Sequence, residues 1–397
     1  MNATGRQPDR PDERRPRVSG RAIEHTASER AESARDTGVS CIRVALVGFH
    51  MATVAVAFRD RLLVCTGDVT DPDDWTTETR LEGRDLECIA AVRNGPARYY
   101  VGTVADGLFR SADGGETFDR LETRFVAGAR TPAADTEPDR VTAVTISPHD
   151  PQVVYAGTEP SRIYRSRDGG DSWTRLEGLT DLPSASEWSF PPRPDTHHVR
   201  WLAVDPFDPD RLYVGIEAGA FAYTPDGGET WHERPPGARR DNHSLAAHPD
   251  REGRLYAAAG DGYAESDDGG ETWRQPWDGL EHTYCWSVAP APDDPDRVLV
   301  SSARGASTAH TASRAESYVY RREGERAWER LDGRGLPTGE GVVRAVFATT
   351  DRPETVYAVT NRGLFVTRDF GDSWTAIDID WAAGLESQTP RGLVALS

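Results

Sequence analysis

Short apolar segments separated by polar turns recur along the chain, and the pattern is clearest after residue 140. Val141–Ser147 is followed by a Pro-Asp turn at Pro148–Pro151, and then by Val153–Thr158, Ile163–Ser166 and Trp173–Glu177. Each apolar segment has four to seven residues, is rich in β-branched and aromatic types, and is bounded by Gly, Pro or Asp, as β-strands are. The pattern predicts a repeating unit of four antiparallel strands, which we name A to D in chain order.

A polar motif connects strands C and D of most units. It consists of a small hydroxyl residue, any residue, Asp, Gly, Gly, an acid, Ser or Thr, and an aromatic residue. The five copies are Ser111–Phe118, Ser166–Trp173, Thr224–Trp231, Ser266–Trp273 and Thr367–Trp374, the last with Phe370 in place of the first Gly. An Asp side chain can accept backbone N–H groups across a tight turn, and the glycines permit a positive φ. We therefore predict five hairpin turns, which we call aspartate turns.

The aspartates of these turns are predicted to be structural. A catalytic or calcium site is not expected five times in one chain, whereas a repeat protein needs the same turn in every repeat. The residues are Asp113, Asp168, Asp226, Asp268 and Asp369. The motif resembles the Asp-box of the BNR, sialidase-like repeat proteins, over residues 51–397. The resemblance implies a β-propeller. It leaves the function open, because Asp-box propellers include sialidases, sorting receptors and photosystem assembly factors.

Two counts predict seven blades. The aromatic residue that opens strand D recurs at intervals of 42 to 58 residues, at Trp75, Phe118, Trp173, Trp231, Trp273, Trp328 and Trp374. Strand A recurs at Leu86–Val92, Val141–Ser147, Val199–Val204, Ser244–His248, Cys285–Ala289, Val342–Ala348 and Arg391–Ser397. The first unit begins near Met51 with strand B, so the C-terminal strand completes it and leaves no sheet edge exposed. We predict an all-β, seven-bladed propeller of four-stranded antiparallel blades over residues 51–397.

The first 50 residues are rich in Arg, Glu, Pro and Ser and are predicted to be a disordered extension. Arg14-Arg15 is not followed by an apolar segment, so no secretion signal is indicated. The apolar segment 41–58 is too short and interrupted to span a bilayer. We expect a cytoplasmic monomer with no membrane partner.

The chain is strongly acidic, with 65 Asp and Glu residues, 46 basic residues that are all arginine, and a formal charge of −19. No basic surface is available to neutralise phosphates, so nucleic acid is not an expected partner. The charge favours solubility and suggests a salt-adapted source. Cys41, Cys65, Cys88 and Cys285 have no metal or disulfide spacing and are expected to be buried free thiols.

The loops that depart from the repeat are predicted to lie on the face opposite the aspartate turns. They are Leu182–His198, Arg234–His243, Pro276–Tyr284, Ala303–Glu316 and Asp332–Gly341. Elaborated loops at one end of a rigid scaffold carry binding residues. We therefore expect a ligand site at this mouth of the central channel. Its candidate binding residues are Trp188, Arg193, His197, His198, Arg200, Arg240, Asp241, Asn242, His243, His282, Tyr284, Trp286, Arg304, His310, Tyr318 and Arg344.

Three functions fit these residues. In the first, the mouth binds an anionic small molecule, a glycan or a loop of a protein partner, since Arg forks suit anions and aromatic rings suit flat ligands. In the second, the protein is a glycoside hydrolase that resembles sialidases or Asp-box glucanases and uses two carboxyl groups, or a tyrosine and a glutamate. The catalytic candidates are Glu159, Glu217, Tyr284 and Glu340. The chain lacks the Phe/Tyr-Arg-Ile-Pro motif that sialidases carry near the N-terminus.

The third function is a metal site. Imidazoles suit zinc or iron, and the weak candidates are His197, His243 and His282, which have no diagnostic spacing. No cofactor is therefore expected. An alternative for the whole face is that the loops only pack on one another, with Arg–Glu pairs as internal struts. Ligand binding is the preferred hypothesis, and glycoside hydrolysis is the alternative.

Overall fold

The computed structural model describes residues 51–93, 95–123, 125 and 140–396. They form seven antiparallel sheets whose innermost strands contact one another in a closed ring. The architecture is an all-β, seven-bladed propeller built mainly from four-stranded blades, which confirms the predicted fold class. The predicted disordered extension, residues 1–50, lies outside the described residues, as does Cys41.

The blades follow one another along the chain. In order, the strands of the described residues are β1 (Met51–Ala57), β2 (Leu62–Asp68), β3 (Trp75–Arg80), β4 (Leu86–Arg93), β5 (Ala97–Thr103), β6 (Leu108–Ser111), β7 (Asp119–Arg120), β8 (Arg140–Ile146), β9 (Val154–Glu159), β10 (Ile163–Ser166), β11 (Thr174–Leu176), β12 (Val199–Val204), β13 (Leu212–Ile216), β14 (Phe221–Thr224), β15 (His232–Glu233), β16 (Asn242–Ala247), β17 (Leu255–Ala259), β18 (Gly262–Ser266), β19 (Tyr284–Ala291), β20 (Asp294–Ala303), β21 (Glu316–Glu323), β22 (Glu329–Arg330), β23 (Gly339–Glu340), β24 (Val346–Thr349), β25 (Val356–Thr360), β26 (Gly363–Thr367), β27 (Thr375–Ala376) and β28 (Gly392–Leu396). Blade 1 has the order β28-β1-β2-β3, and blades 2 to 7 begin with β4, β8, β12, β16, β19 and β24.

Helical structure within the described residues is limited to α1 (Ala306–His310) and four short 3-10 segments. The 3-10 segments are Leu179–Asp181, Ala185–Glu187, Ala312–Arg314 and Leu385–Ser387. No helix in this part of the chain is long and apolar enough to cross a membrane. The three described cysteines, Cys65, Cys88 and Cys285, are buried free thiols, as predicted.

The ring is closed by the C-terminal strand, as the sequence predicts. β28 pairs with β1 in antiparallel register from Thr53 opposite Leu396 to Ala57 opposite Gly392. The backbone N–H of Arg391 donates to the carbonyl oxygen of Ala57 at 2.7 Å and extends the pairing by one bond. The first blade therefore contains both the first strand of the propeller, β1, and its last strand, β28. The inner edge of β1 is paired and not exposed.

Two blades differ from the four-strand prediction. In blade 5 the fourth strand is reduced to a single bridge between Glu265 and Arg274, because Pro276, two residues later, has no N–H to continue the pairing. In blade 6 an additional strand, β23, pairs with the start of β21 opposite Glu316 and Ser317. This addition lies on the loop face, within the predicted loop Asp332–Gly341.

Each aspartate turn satisfies its own backbone. Asp168 accepts the Ser172 N–H at 2.9 Å and the Ser172 hydroxyl at 2.5 Å, and the Ser166 hydroxyl donates to Asp168 at 2.7 Å. Ser166 also accepts the N–H of Gly170 at 2.8 Å, at a φ of 99° that favours glycine. The equivalent bonds occur at Asp113, Asp226, Asp268 and Asp369. These five carboxylates hold hairpins together on the face away from the elaborated loops.

Blades 5 and 6 are joined by a buried ion cluster. Glu265 is fully buried and contacts Arg254 at 3.1 Å, Arg322 at 2.5 Å and Arg274 at 2.7 Å. The Tyr263 hydroxyl donates to the same carboxylate at 2.6 Å. Arg254 and Arg322 are also almost completely buried. The carboxylate therefore compensates two guanidinium charges that have little access to water.

We expect Glu265→Ala to destabilise the propeller by about 3–5 kcal/mol, because it leaves the buried guanidinium group of Arg322 without a carboxylate partner and removes the one buried carboxylate of the three around Arg254. The measurement is the free energy of unfolding in urea. Glu271→Ala, which removes an exposed carboxylate of the same blade, is the control and should change stability very little. A loss at Glu265 no larger than that at Glu271 would contradict the role of the cluster.

The aspartate turns predict a specific acid sensitivity. Hydrogen bonds from the hydroxyl and N–H of Thr230, together with Thr224, lower the pKa of Asp226 to about 2. The stabilising contribution is therefore complete at neutral pH and is lost as the pH falls from about 4 towards 2. We expect Asp226→Asn to be less stable than the wild type at pH 7 and to approach it in acid. Thermal unfolding at several pH values, with the exposed Asp210→Asn as control, tests this; a difference independent of pH would disprove it.

Candidate functional site

A β-bulge recurs near the start of the innermost strand in five blades. The bulge inserts one unpaired residue, and such residues are commonly redirected towards functional sites. The five inserted residues are Glu87, Thr142, Arg200, His243 and Trp286. Alignment of the innermost strands places Arg344 and Arg391 at the same position in blades 7 and 1. We call these seven residues the inner ring.

The residue two positions before the inner ring also faces the mouth in several blades, because alternate residues of a strand share one face. His198, Asp241, Tyr284 and Thr389 occupy this position, which we call the outer ring. All four line a cavity of about 730 Å³, the mouth cavity, on the face of the elaborated loops. A pocket of this size is sufficient for a small ligand.

Two loops complete the wall of the mouth cavity. The segment Phe190–Arg193 of the loop Leu182–His198 covers one side, and α1 with Thr311 covers another. Ser387–Thr389 and Arg59 contribute a third side from the region around blade 1. The walls therefore come from separate parts of the chain, which the closed ring brings together.

Trp286 lies at the base of the mouth cavity. Its ring centroid is 3.9 Å from the guanidinium carbon of Arg344 and 4.8 Å from that of Arg200. The rings of His243 and His310 each lie 4.4 Å from it. A second cavity of about 860 Å³ lies at the other end of the channel and is lined by small apolar residues of the innermost strands. It is also bordered by Trp286, Arg200 and Arg391. These three side chains separate the two cavities.

A chain of charged groups crosses blades 3 and 4. Arg193 forms a two-bond fork with Glu159 at 2.7 and 2.6 Å. His198 Nε2 lies 3.0 Å from Glu217 Oε2, and Arg200 Nε lies 3.6 Å from the same oxygen. Glu159 is buried, and the Glu217 side chain is 14% exposed. The arginines and glutamates therefore form pairs, as expected if the loops only pack on one another. However, the mouth cavity remains open beside these pairs.

Glu217 and Asp241 form a pair of carboxyl groups with opposite environments. One oxygen of each, together with a nitrogen of His243, lies within 4.8 Å of the others. Burial raises the pKa of Asp241, and the neighbouring charge of Glu217 adds to this, although His243 opposes it. Burial acts on Glu217 too, but the hydrogen bond and charge of His198, with His243 and Arg200, hold the pKa of Glu217 well below its usual range. Carboxyl groups separated in this way serve as acid and base.

His243 is held in one orientation beside this pair. Its Nδ1 lies 2.7 Å from the carbonyl oxygen of Cys285, so Nδ1 carries the proton. Its Nε2 is buried without a hydrogen-bond partner and lies 3.8 Å from Asp241 Oδ2. Glu217, Asp241 and His243 are therefore the described residues that could hold a cation. However, the guanidinium group of Arg200 already lies 3.6 Å from Glu217 Oε2, and its positive charge disfavours a second cation there.

The structure brings eight predicted binding or catalytic residues to the mouth cavity. They are Arg193, His198, Arg200, Glu217, Asp241, Tyr284, Trp286 and His310. Glu159, His243 and Arg344 lie directly behind them. The predicted group of three histidines does not form within the described residues, because His197 packs against Trp188 and His282 packs against Tyr318 and Tyr320.

The remaining candidates lie elsewhere. Trp188 is buried in the core beneath the loop, and Asn242 is buried with its amide donating to the Arg239 carbonyl at 2.9 Å. Arg240 pairs with Glu187 in an exposed contact, and Arg304 lies 3.9 Å from Glu316 with its side chain 71% exposed. Tyr318 donates to Glu316, and Glu340 is exposed in β23.

Sequence reasoning missed three charged residues of the mouth cavity, Arg59, Glu87 and Arg391, and its hydroxyl and amide residues, among them Thr142. A signal for Glu87, Thr142 and Arg391 was available, because they occupy the same position of the aligned innermost strands as Arg200 and Trp286 do. The elaborated loops adjoin blades 4 to 7, so the corresponding strand positions of blades 1 to 3 were not considered.

Comparisons with known proteins agree with the fold. No protein-family model matches the chain. It is 25% identical over 152 residues to a probable oligoxyloglucan-reducing end-specific xyloglucanase of Neosartorya fischeri, and the matched segment covers 38% of this chain and 17% of that protein. It is 27% identical over 169 residues to the xyloglucanase Xgh74A of Acetivibrio thermocellus, and that match covers 39% of this chain and 19% of the xyloglucanase. The chain thus spans about a fifth of the length of the curated relatives it matches.

A solved structure shows the same architecture. The GH74 xyloglucanase from Xanthomonas campestris superimposes with a TM-score of 0.55 at 17% identity, over 86% of this chain and 53% of that one. Identity at this level shows a common propeller fold. The chain is therefore a seven-bladed propeller with GH74 xyloglucanase propellers among its structural neighbours.

The Arg193–Glu159 fork predicts an energetic coupling between the loop and blade 3. Glu159 is buried while the Arg193 side chain is 43% exposed, so we expect a coupling energy of about 1 kcal/mol in a double-mutant cycle of Arg193→Ala and Glu159→Gln. Urea unfolding of the four proteins measures it. The pair Arg240 and Glu187, with both side chains more than half exposed, is the control and should show almost none. Equal coupling in both pairs would contradict the prediction.

Proposed function

We propose that this chain is an Asp-box propeller of the sialidase-like type that hydrolyses a glycosidic bond in the mouth cavity. The observation that carries the proposal is the pair Glu217 and Asp241, whose oxygens lie within 4.8 Å at the wall of a cavity of about 730 Å³. Glycoside hydrolysis requires two carboxyl groups beside the scissile bond, one protonated and one ionised. The opposite pKa directions of Asp241 and Glu217 supply that difference.

The separation of the two groups favours a reaction with retained configuration. Retaining enzymes hold their carboxyl groups about 5–5.5 Å apart, whereas inverting enzymes leave room for water at about 6.5–9.5 Å. Asp241 donates its proton to the glycosidic oxygen as that oxygen leaves, and Glu217 bonds to the anomeric carbon. Water then attacks this carbon and releases Glu217, while Asp241 takes back a proton from the water.

Neighbouring side chains assign these roles. His198 and Arg200 both contact Oε2 of Glu217, so they stabilise its ionised form and leave Oε1 for the anomeric carbon. Asp241 is oriented by the N–H of Ala218, which donates to Oδ1 at 2.8 Å. The protonated form of Asp241 is needed for the first step. The rate should therefore fall as the pH rises through the raised pKa of Asp241.

The comparisons support a saccharide as substrate, since both reported relatives are named as xyloglucanases. A second candidate function is ligand binding without cleavage. It is favoured by the pairing of Glu159, Glu217 and Glu87 with Arg193, Arg200 and Arg391 at 2.6, 3.6 and 3.5 Å. The arginines of such pairs can bind anionic groups of a ligand, and the carboxylates can accept its hydroxyl groups.

The test is a screen of the purified protein against xyloglucan and its oligosaccharides, followed by other plant and bacterial glycans. We expect new reducing ends and, by proton NMR of the first product, retained anomeric configuration. Asp241→Asn and Glu217→Gln should each lower kcat by about a hundredfold or more. Glu252→Gln, an exposed carboxylate of blade 5 outside the mouth cavity, should match the wild type.

Four outcomes would count against hydrolysis by this pair. Inverted product configuration excludes Glu217 as the nucleophile, and activity of both variants equal to the wild type excludes the pair altogether. Activity that requires an added divalent cation would assign Glu217, Asp241 and His243 to that cation. Saccharide binding by calorimetry without any cleavage would support the second candidate function.

A further inference from the structure

A hydrogen-bonded chain runs from the interior of blade 7 to the mouth cavity. Arg344 is almost completely buried, and its Nε donates to Nδ1 of His310 at 3.3 Å. Nε2 of His310 lies 3.1 Å from the hydroxyl oxygen of Tyr284. His310 and Tyr284 both line the mouth cavity, whereas Arg344 lies behind them against Trp286.

The hydrogen bonds of this series are all donated in one direction, from Arg344 towards Tyr284. A guanidinium group only donates hydrogen bonds, so Nδ1 of His310 must be the acceptor and carry no proton. Burial lowers the pKa of His310 to about 2, and the charge of Arg344 adds to this, so the ring is neutral. A neutral ring with a bare Nδ1 carries its proton on Nε2. His310 therefore donates to the oxygen of Tyr284.

This arrangement leaves the proton of the Tyr284 hydroxyl free for another acceptor. The oxygen of Tyr284 already accepts from His310, and no acceptor for the Tyr284 hydroxyl proton occurs within the described part of the chain. Burial raises the pKa of Tyr284, and the charge of Glu217 raises it further. The phenol therefore remains protonated beside the two carboxyl groups.

We infer that Tyr284 is a neutral hydrogen-bond donor to an oxygen atom of the bound saccharide, and that His310 and Arg344 are positioning residues that direct its proton into the mouth cavity. The inference rests on the proposed saccharide site and adds a requirement on the ligand. The ligand must present a hydroxyl or ring oxygen, without a positive charge, next to the bond that Glu217 and Asp241 act on.

The inference also assigns Tyr284 a role different from that of a nucleophile. A tyrosine nucleophile must lose its proton to a base as it attacks. Here the residue that contacts the Tyr284 oxygen is a donor, and the negative charge of Glu217 opposes formation of a phenolate. Tyr284 thus stabilises the bound ligand, while bond formation belongs to Glu217.

The first test observes the proton on His310 and does not require activity. The full chain is labelled with nitrogen-15 histidine, and the His310 signals are assigned by their absence from His310→Gln. At neutral pH we expect the tautomer with the proton on Nε2. A proton on Nδ1, or on both nitrogens, would overturn the positioning role of His310 and Arg344.

The second test measures binding and turnover of the saccharide selected by the screen. Tyr284→Phe keeps the ring and removes only the hydroxyl, so we expect about tenfold weaker binding or a tenfold lower kcat/KM. Tyr223→Phe, in β14 on the C strand of blade 4, removes a phenolic hydroxyl away from the mouth cavity and is the matched control. His310→Ala should resemble Tyr284→Phe, and His310→Gln, which can still donate to Tyr284, should restore part of the loss.

The outcomes separate this inference from the proposed function. If wild type and Tyr284→Phe bind and cleave equally well, the donor role fails while hydrolysis stands. If the saccharide is bound but not cleaved and Tyr284→Phe binds it tenfold more weakly, the donor role stands while hydrolysis fails. If no saccharide is bound at all, both are rejected. Complete loss of turnover in Tyr284→Phe with unchanged binding would indicate a nucleophile and overturn the inference.

Discussion

Pairing of β28 with β1 is the constraint on which the rest of the propeller depends. The strand comes from the C-terminal end of the chain and supplies the innermost strand of the first blade. Without it, blade 1 would present an unpaired strand edge to the channel and the ring of innermost strands would be open. The positions of the mouth residues follow from this closure, because each blade contributes only one or two of them and the ring sets their distances.

The bulges convert this regular scaffold into a site. An ordinary innermost strand would direct alternate side chains towards the neighbouring blades, where only small or apolar residues pack. The extra residue at Thr142, Arg200 or Trp286 instead lines the mouth cavity. Charged groups that enter a narrow channel lose hydrating water, which is unfavourable. Most of the charged groups here are stabilised by an opposite charge or an aromatic ring within 5 Å, as Arg200 is by Glu217 and Trp286. The same loss of water raises the pKa of Asp241, whereas the hydrogen bond with His198 holds the pKa of Glu217 low.

The predicted fold agrees with the structure because its signals are local. The spacing of Trp75, Trp173 and Trp374 and the five aspartate turns each depend on a few adjacent residues, and the number of blades follows by counting. The candidate site was predicted only in part. Tyr284 and His310 were selected because they lie in irregular loops, and they do meet in the structure at 3.1 Å. Glu87 and Arg391 were not selected, since they belong to blades 2 and 1, which no elaborated loop adjoins, and only the alignment of the innermost strands marks them.

The amino-acid sequence by itself determined the strand pattern, the turn chemistry, the number of blades and the closing strand, because these depend on periodicity and on contacts between near neighbours. The tertiary structure alone decided which side chains share the mouth. Asp241 and Glu217 are 24 residues apart, and Arg344, His310 and Tyr284 come from three separate segments. The distances between these side chains depend on the curvature of a closed ring and on bulges that turn single residues inwards. Neither can be recognised from the spacing of residues along the sequence. Charge pairing and loss of water then act on the assembled group.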